Sequence, residues 1–281
     1  ISSKYHDHRN AHVPKLSRPR FVVGRGSAIP KGSGQKPMNQ ETKVCQNCKS
    51  QFTIEPEDFQ FYEKMQVPPP TWCPECRFIR RLSFMNIRTL YKRTCSRCNS
   101  SMIAMYPEDS SVLVYCNTCW WSDKWDGTEY GRAYDPSKPF LEQLYELSRI
   151  TPYMALENLY TSLVDTEYTN YAAYQKNCYL TYYSDYANNV LYAMFIAHVN
   201  DSMDCYRIRD SELCYEATGC YKSSRVFFSE ECTDSHDIWF SKNLIGCSNC
   251  VGCVNLRNKS YCIFNEKYSK EEYHRIIEEM D

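Results

Sequence analysis

From about residue 166 the chain repeats every twelve positions. Cys178, Val190, Ser202, Cys214, Val226, Ile238, Cys250 and Cys262 share one register. The next position reads Tyr179, Leu191, Met203, Tyr215, Phe227, Trp239, Val251 and Ile263, apolar throughout. Three residues after the first column come Thr181, Ala193, Cys205, Ala217, Ser229, Ser241 and Cys253, all small. Three further on come Ser184, Ile196, Ile208, Cys220, Cys232, Leu244 and Leu256. Small and aliphatic residues stacked at a fixed short period mark a β-solenoid. The expected class is therefore mainly β, with a right-handed β-helix-like solenoid over residues 166–268. The period fits one twelve-residue turn or half of a 24-residue turn. Ser269-Lys-Glu-Glu272 is a capping box, and Tyr273, Ile276, Ile277 and Met280 follow at helical spacing. This predicts a helix over 269–281 that covers the last turn.

Upstream the pattern is weaker. Ser137 and Pro139 precede a stripe of Phe140, Leu141, Leu144 and Leu147, which predicts a helix over 137–149 within a linker, 137–165. Residues 120–136 form a connector with Trp120, Trp121 and Trp125. Residues 1–40 read as an extended basic tail. Pro14, Pro19, Pro30 and Pro37 alternate with Gly24, Gly26, Gly32 and Gly34, and core-sized apolar residues are few. Ordering such a tail takes a partner, so a larger assembly is expected. Nothing approaches an 18-residue apolar run, and the first residues lack the apolar core of a secretory signal.

Four Cys-x-x-Cys pairs occupy the region between tail and repeat: Cys45/Cys48, Cys73/Cys76, Cys95/Cys98 and Cys116/Cys119. Taken in order they make two four-cysteine sites. A two-residue gap lets both thiolates of a pair face one tetrahedral ion, and the second pair closes the shell. All-sulfur sites with no open position describe two structural Zn2+ ions; rubredoxin-like iron is the rival, given Cys73-Pro-Glu-Cys76. The expected lobes are a ribbon with its linker at 41–94 and a ribbon with its connector at 95–136. Eight metal ligands also make 17 cysteines compatible with a reducing, intracellular setting.

Charge is divided along the chain. Residues 1–100 carry 18 Lys+Arg against 7 Asp+Glu; residues 101–281 carry 15 against 27. Two zinc–tetrathiolate centres each add about −2, which leaves the first part positive. The stretch from Arg77 to Arg97 holds seven basic residues and no acidic one. Arginine forks bind phosphate, and Phe78, Phe84 and Tyr91 can stack on bases. The expected nucleic-acid contacts are Arg18, Arg20, Arg25, Arg77, Arg80, Arg81, Arg88, Lys92, Arg93 and Arg97. RNA is the favoured partner through residues 1–97, and a protein partner is expected on the acidic solenoid. The plainer account makes Phe78, Ile79, Leu82 and Ile87 ribbon core and the arginines a solvated face.

Cys45-Gln-Asn-Cys48, Phe52, Phe61-Tyr62, Pro70-Thr-Trp-Cys73-Pro-Glu-Cys76-Arg77 and Arg80-Arg81 resemble the family called "probable zinc-ribbon domain" over roughly residues 43–82. The resemblance implies a zinc fold and little about activity. Ribbons followed by a Cys-rich repeat are also similar to uncharacterised proteins of reduced-genome bacteria and large DNA viruses.

The expected function is non-catalytic: a zinc-stabilised nucleic-acid-binding scaffold. One alternative is a structural protein of a capsid- or filament-like assembly that binds acidic protein. Another is a carbohydrate-active solenoid enzyme, for which Asp210, Asp234 and His236 are thin support. The cysteines of the repeat, including Cys247-x-x-Cys250-x-x-Cys253, are expected to be buried filling rather than a third metal site, because they share columns with Val, Ile, Ala and Ser. Tyr171/Tyr183/Phe195 and Tyr174/Tyr186/His198 recur at twelve and are expected to stack between turns rather than to hold bases or sugars.

Overall fold

The computed structural model describes residues 40–166 and 168–280. The expected tail, with Arg18, Arg20 and Arg25, lies outside them. The chain divides into two compact units, one running to Arg77 with Pro139–Glu142, the other comprising Phe78–Lys138 and the chain from Gln143. No helix among the described residues is long and apolar enough to cross a membrane.

The first unit starts with an antiparallel hairpin, β1 (Glu41–Val44) and β2 (Gln51–Ile54). Helix α1 (Pro56–Lys64) follows, entered through a reciprocal Glu55/Asp58 capping box with proline in its first turn. Helix α2 (Pro74–Leu82) begins directly after Cys73. No residue of α1 is buried, and the core here is Cys45, Trp72, Cys73 and Cys76 with Phe52 against them. That is too little apolar surface to hold a fold without a further crosslink.

The second unit repeats the opening with the hairpin β3 (Tyr91–Thr94) and β4 (Ser101–Ala104). Strand β5 (Val114–Tyr115) leads to the short helix α3 (Asn117–Trp120). Helix α4 spans Phe140–Ile150. Its expected stripe is only partly covered, because Phe140 and Leu144 remain exposed. Strand β6 (Tyr153–Met154) then pairs in parallel with β5.

The solenoid is one ten-stranded sheet in chain order: β7 (Leu163–Val164), β8 (Asn170–Lys176), β9 (Tyr182–Leu191), β10 (Met194–Met203), β11 (Arg209–Tyr215), β12 (Ser224–Phe227), β13 (His236–Trp239), β14 (Ser248–Val251), β15 (Ser260–Ile263) and β16 (Glu266–Lys267). From β7 to β15 the strands are parallel and every partner lies twelve residues away, as in Val226↔Ile238 and Cys250↔Cys262. One turn is therefore twelve residues, about eight turns in all. Within a turn every third side chain points inward, giving four interior columns. The fourth, Ala187, Val199, Ser211, Ser223, Ser235 and Cys247, is buried and has no strong apolar signature in sequence.

The same three-residue rhythm governs the backbone. Every third residue from Tyr171 to Phe264 has positive φ, and only Gly219, Gly246 and Gly252 among them lack a side chain. Each such residue turns the chain at a corner between two short extended segments. Both ends of the coil carry capping contacts. At the first edge Asn170 donates to the carbonyls of Asn86 and Ile87, while Asn158 donates to Thr169 O and accepts from Ala172 N. At the last edge β16 pairs antiparallel with β15, and α5 (Lys270–Met280) buries Tyr273 near Tyr261. The Ser269/Glu272 box that starts α5 forms in both directions.

Candidate metal centres and nucleic-acid interface

Cys45, Cys48, Cys73 and Cys76 bring their four sulfurs within 4.8 Å of one another, as do Cys95, Cys98, Cys116 and Cys119. The pairing is sequential. Each site joins a hairpin knuckle to the start of a helix. In the knuckles, Cys45 N bonds to Ser50 O and Cys95 N to Ser100 O, while Lys49 and Asn99 take positive φ to tighten the turn. The second pair of each site stands at the entry of α2 or α3, so a helical first turn presents Cys73/Cys76 and Cys116/Cys119.

The spacing suits a tetrahedral ion. Cys48 Sγ lies 3.8 Å from Cys73 Sγ, and Cys98 Sγ lies 3.8 Å from Cys116 Sγ. A tetrahedron with metal–sulfur bonds of about 2.3 Å has edges of about 3.8 Å. Donors already point at the sulfurs: Cys73 N to Cys45 Sγ, Cys116 N to Cys95 Sγ, and Asn47 Nδ2 to Cys76 Sγ. Such bonds favour thiolate over thiol. Burial pushes the Cys45 thiol up, but N–H groups of Cys73, Cys48 and Asn47 outweigh it and bring it to about 6. Hydrogen bonds from Ser100 bring Cys98 to about 6. Burial and the neighbouring Cys98 and Cys116 push Cys119 up to about 12. Four crowded sulfurs cannot all ionise without a cation among them.

The expected nucleic-acid residues fall into different settings. Arg81 is exposed on α2 beside Phe78, and Arg80 is half-buried there. Phe78 and Ile79 are 50% exposed, Leu82 48% and Phe84 85%. The plainer account, in which these apolar positions are ribbon core, therefore fails for Phe78, Ile79 and Leu82. Arg77 is half-buried and donates to Tyr62 Oη. Arg88 is exposed and lies over the Tyr182 ring. Lys92 is exposed. Arg97 donates to Lys124 O and lies over Tyr115. Arg93 is a correction. It is 8% exposed, and its guanidinium is engaged by Pro107 O, Ser110 Oγ and Val112 O, so it ties down the loop after β4 and presents nothing to a phosphate.

The repeat cysteines are buried and, among the described residues, form no third cluster of metal-ligand geometry. Burial pushes Cys205 and Cys214 up to about 12, which keeps them as neutral thiols. The aromatic columns stack on themselves, with centroids 4.6 Å apart for Tyr171/Tyr183 and Tyr174/Tyr186, so ring faces inside each column are already occupied. Two residues outside the expected set stand out. Arg207 and Arg209 are exposed on the solenoid wall among Tyr183, Phe195 and Tyr206. Their sequence signal was a basic pair inside the acidic part of the chain. No family model and no curated protein matches this chain.

Proposed function

We propose that the protein is a zinc-stabilised, non-catalytic nucleic-acid-binding scaffold. The observation that carries this reading is the exposed basic and aromatic surface of α2 and the turn after it. Phe78, Ile79, Leu82 and Phe84 stay in solvent beside Arg80 and Arg81, in a segment without acidic residues. Apolar side chains left uncovered next to arginines suit a partner with both flat apolar faces and negative charge, which describes single-stranded nucleic acid, with RNA favoured. Zinc is the proposed occupant of both sulfur sites, and its role is to replace the core that residues 40–120 lack.

The edge strands β7 and β16 are only two residues long, which weighs against a filament grown end to end. The carbohydrate-active alternative gains little from the acids first considered for it. Asp210 and Asp234 stand two turns apart in one column with Lys222 between them, about 10 Å at the usual strand spacing. The acidic wall of the solenoid is the proposed surface for a protein partner.

The test is anisotropy of a fluorescein-labelled single-stranded RNA with the full zinc-loaded chain across a salt series. The expected result is steeply salt-dependent binding. Arg80→Gln/Arg81→Gln is expected to weaken it and to flatten the log–log salt slope by about 1.4, at about 0.7 per lost phosphate contact. Binding that ignores salt, or no binding, overturns the reading.

A further inference from the structure

The solenoid wall carries two adjoining hollows that the basic lobes do not explain. The larger, about 560 Å³, is lined by Tyr183, Phe195, Ala197, Tyr206, Arg207 and Arg209. The smaller, about 210 Å³, is lined by Arg88, Tyr182, Tyr192, Asp204 and again Tyr206. Tyr206 is thus a shared wall, exposed and in edge contact with Phe195 at 5.7 Å. No described ring is stacked on Tyr206; its column neighbours are Met194 and Thr218. This differs from the columns beside it, where Tyr183 lies stacked on Phe195. Ala197, with a small side chain, lines the larger hollow and has Asp185 and Arg209 as its column neighbours one turn to either side.

Charge marks both ends. Arg88 approaches one hollow over the Tyr182 ring, and Arg207 and Arg209 stand at the other. Asp204 lies in the smaller hollow, and Asp210 is 3.6 Å from the Arg209 guanidinium, a contact open to solvent and weak. Three guanidinium groups stand around the two aromatic-walled recesses, with Asp204 and Asp210 among them. An aromatic face between positive ends suits a base flanked by phosphates.

Resting on the nucleic-acid reading above, we infer that this track, from Arg88 past Tyr206 to Arg207 and Arg209, is a second contact surface for single-stranded nucleic acid. Tyr206 stacks a base, and the arginines at either end hold the adjacent phosphates. The solenoid then binds ligand directly, in addition to presenting a surface to protein.

The probe is a fluorescein-labelled oligouridylate of about 12 nucleotides, within the usual single-strand site size, titrated into the full metal-loaded chain. Tyr206→Ala is expected to weaken binding about tenfold. Arg207→Gln/Arg209→Gln is expected to weaken it and to lower the salt slope by about 1.4. Ultraviolet cross-linking is expected to place the oligonucleotide on the peptide containing Tyr206. All three side chains are exposed, so the melting temperature serves as a check that the coil is intact. If the wild-type chain does not bind the oligonucleotide at any salt, the nucleic-acid reading and this inference fall together. If it binds and Arg80→Gln/Arg81→Gln weakens it, while the solenoid variants bind as wild type and no cross-link reaches Tyr206, this inference alone is overturned.

Discussion

The interior serines and cysteines of the coil are more than filling. Interior serine hydroxyls donate to the carbonyl two residues earlier, as Ser235 does to Thr233 O at 2.8 Å. They also accept from the amide twelve residues on, as Ser235 does from Cys247 N at 3.1 Å. Cysteines make the same short-range bond, for example Cys247 to Ile245 O and Cys253 to Val251 O. A narrow tube with four inward side chains per turn has room for little else, and the bonds satisfy backbone groups that no water reaches. The columns were legible as small and buried, whereas this bonding rule was not, because it depends on which residues fall one turn apart. Ser235→Ala leaves the Cys247 amide without its partner, while Thr233 O keeps the Gly246 amide, and is expected to cost about 1–3 kcal/mol. Ser235→Cys keeps a donor of the right reach and is expected to cost clearly less. Urea unfolding of both variants decides it, and equal losses would refute the rule.

At the scale of the turn, the sequence displayed the twelve-residue period and three inward columns three residues apart, but not the positive-φ corner at every third residue. The corner positions hold Tyr, Asn, Asp, Phe, Arg, Leu and Gly alike, so no single residue type marks them. What they share is positive φ, a conformation costing most L-residues roughly 1–2 kcal/mol. Stacking along the corner columns offsets part of this, as in Phe228 on Phe240 at 5.0 Å and the Asn177–Asn189–Asp201 chain of hydrogen bonds. Asn is among the side chains that tolerate this region best. Leu213, with φ 52° and no aromatic neighbour in its column, gains least from its place. Leu213→Asn is expected to stabilise the coil by about 0.5–1 kcal/mol, part of the left-handed penalty. Gly246→Ala is expected to do the opposite, since φ is +62° there and an added Cβ would also press on the Asn258 side chain. Thermal melting of the two variants should shift in opposite directions. The hairpin-plus-helix build of each sulfur site escaped the sequence for a similar reason: Cys-x-x-Cys spacing is satisfied equally by a hairpin knuckle and by a helical first turn.

Over the whole molecule, two means of holding a fold divide the chain. The solenoid is held by its own columns, with Val190, Ile208, Ile238 and Leu244 at its centre. The two four-cysteine lobes have eight sulfurs and few core residues. Their responses to acid should therefore separate. Cys45 and Cys98 sit at about 6 against an ordinary 9.0. A depressed value means that the stability carried by the ionised sulfur is complete above about 9 and is lost as pH falls through about 6. Protons then compete with metal at every sulfur. Metal release, followed with a colorimetric chelator, is expected between about pH 7 and pH 5, at about two ions per chain. The far-UV circular dichroism of the solenoid should persist through that range, because the coil is held by its packed columns and not by metal. Hydrogen exchange adds a spatial readout. Residues 86 and 87, which precede the Cys95 knuckle, receive the Asn170 side chain and close the first edge of the coil. Loss of metal from the Cys95 site should thus raise exchange in β8 while β12 to β15 stay protected. Metal retained at about pH 5 would overturn the acid-release prediction, and strand protection lost evenly along the coil would show instead that the lobes and the solenoid unfold together.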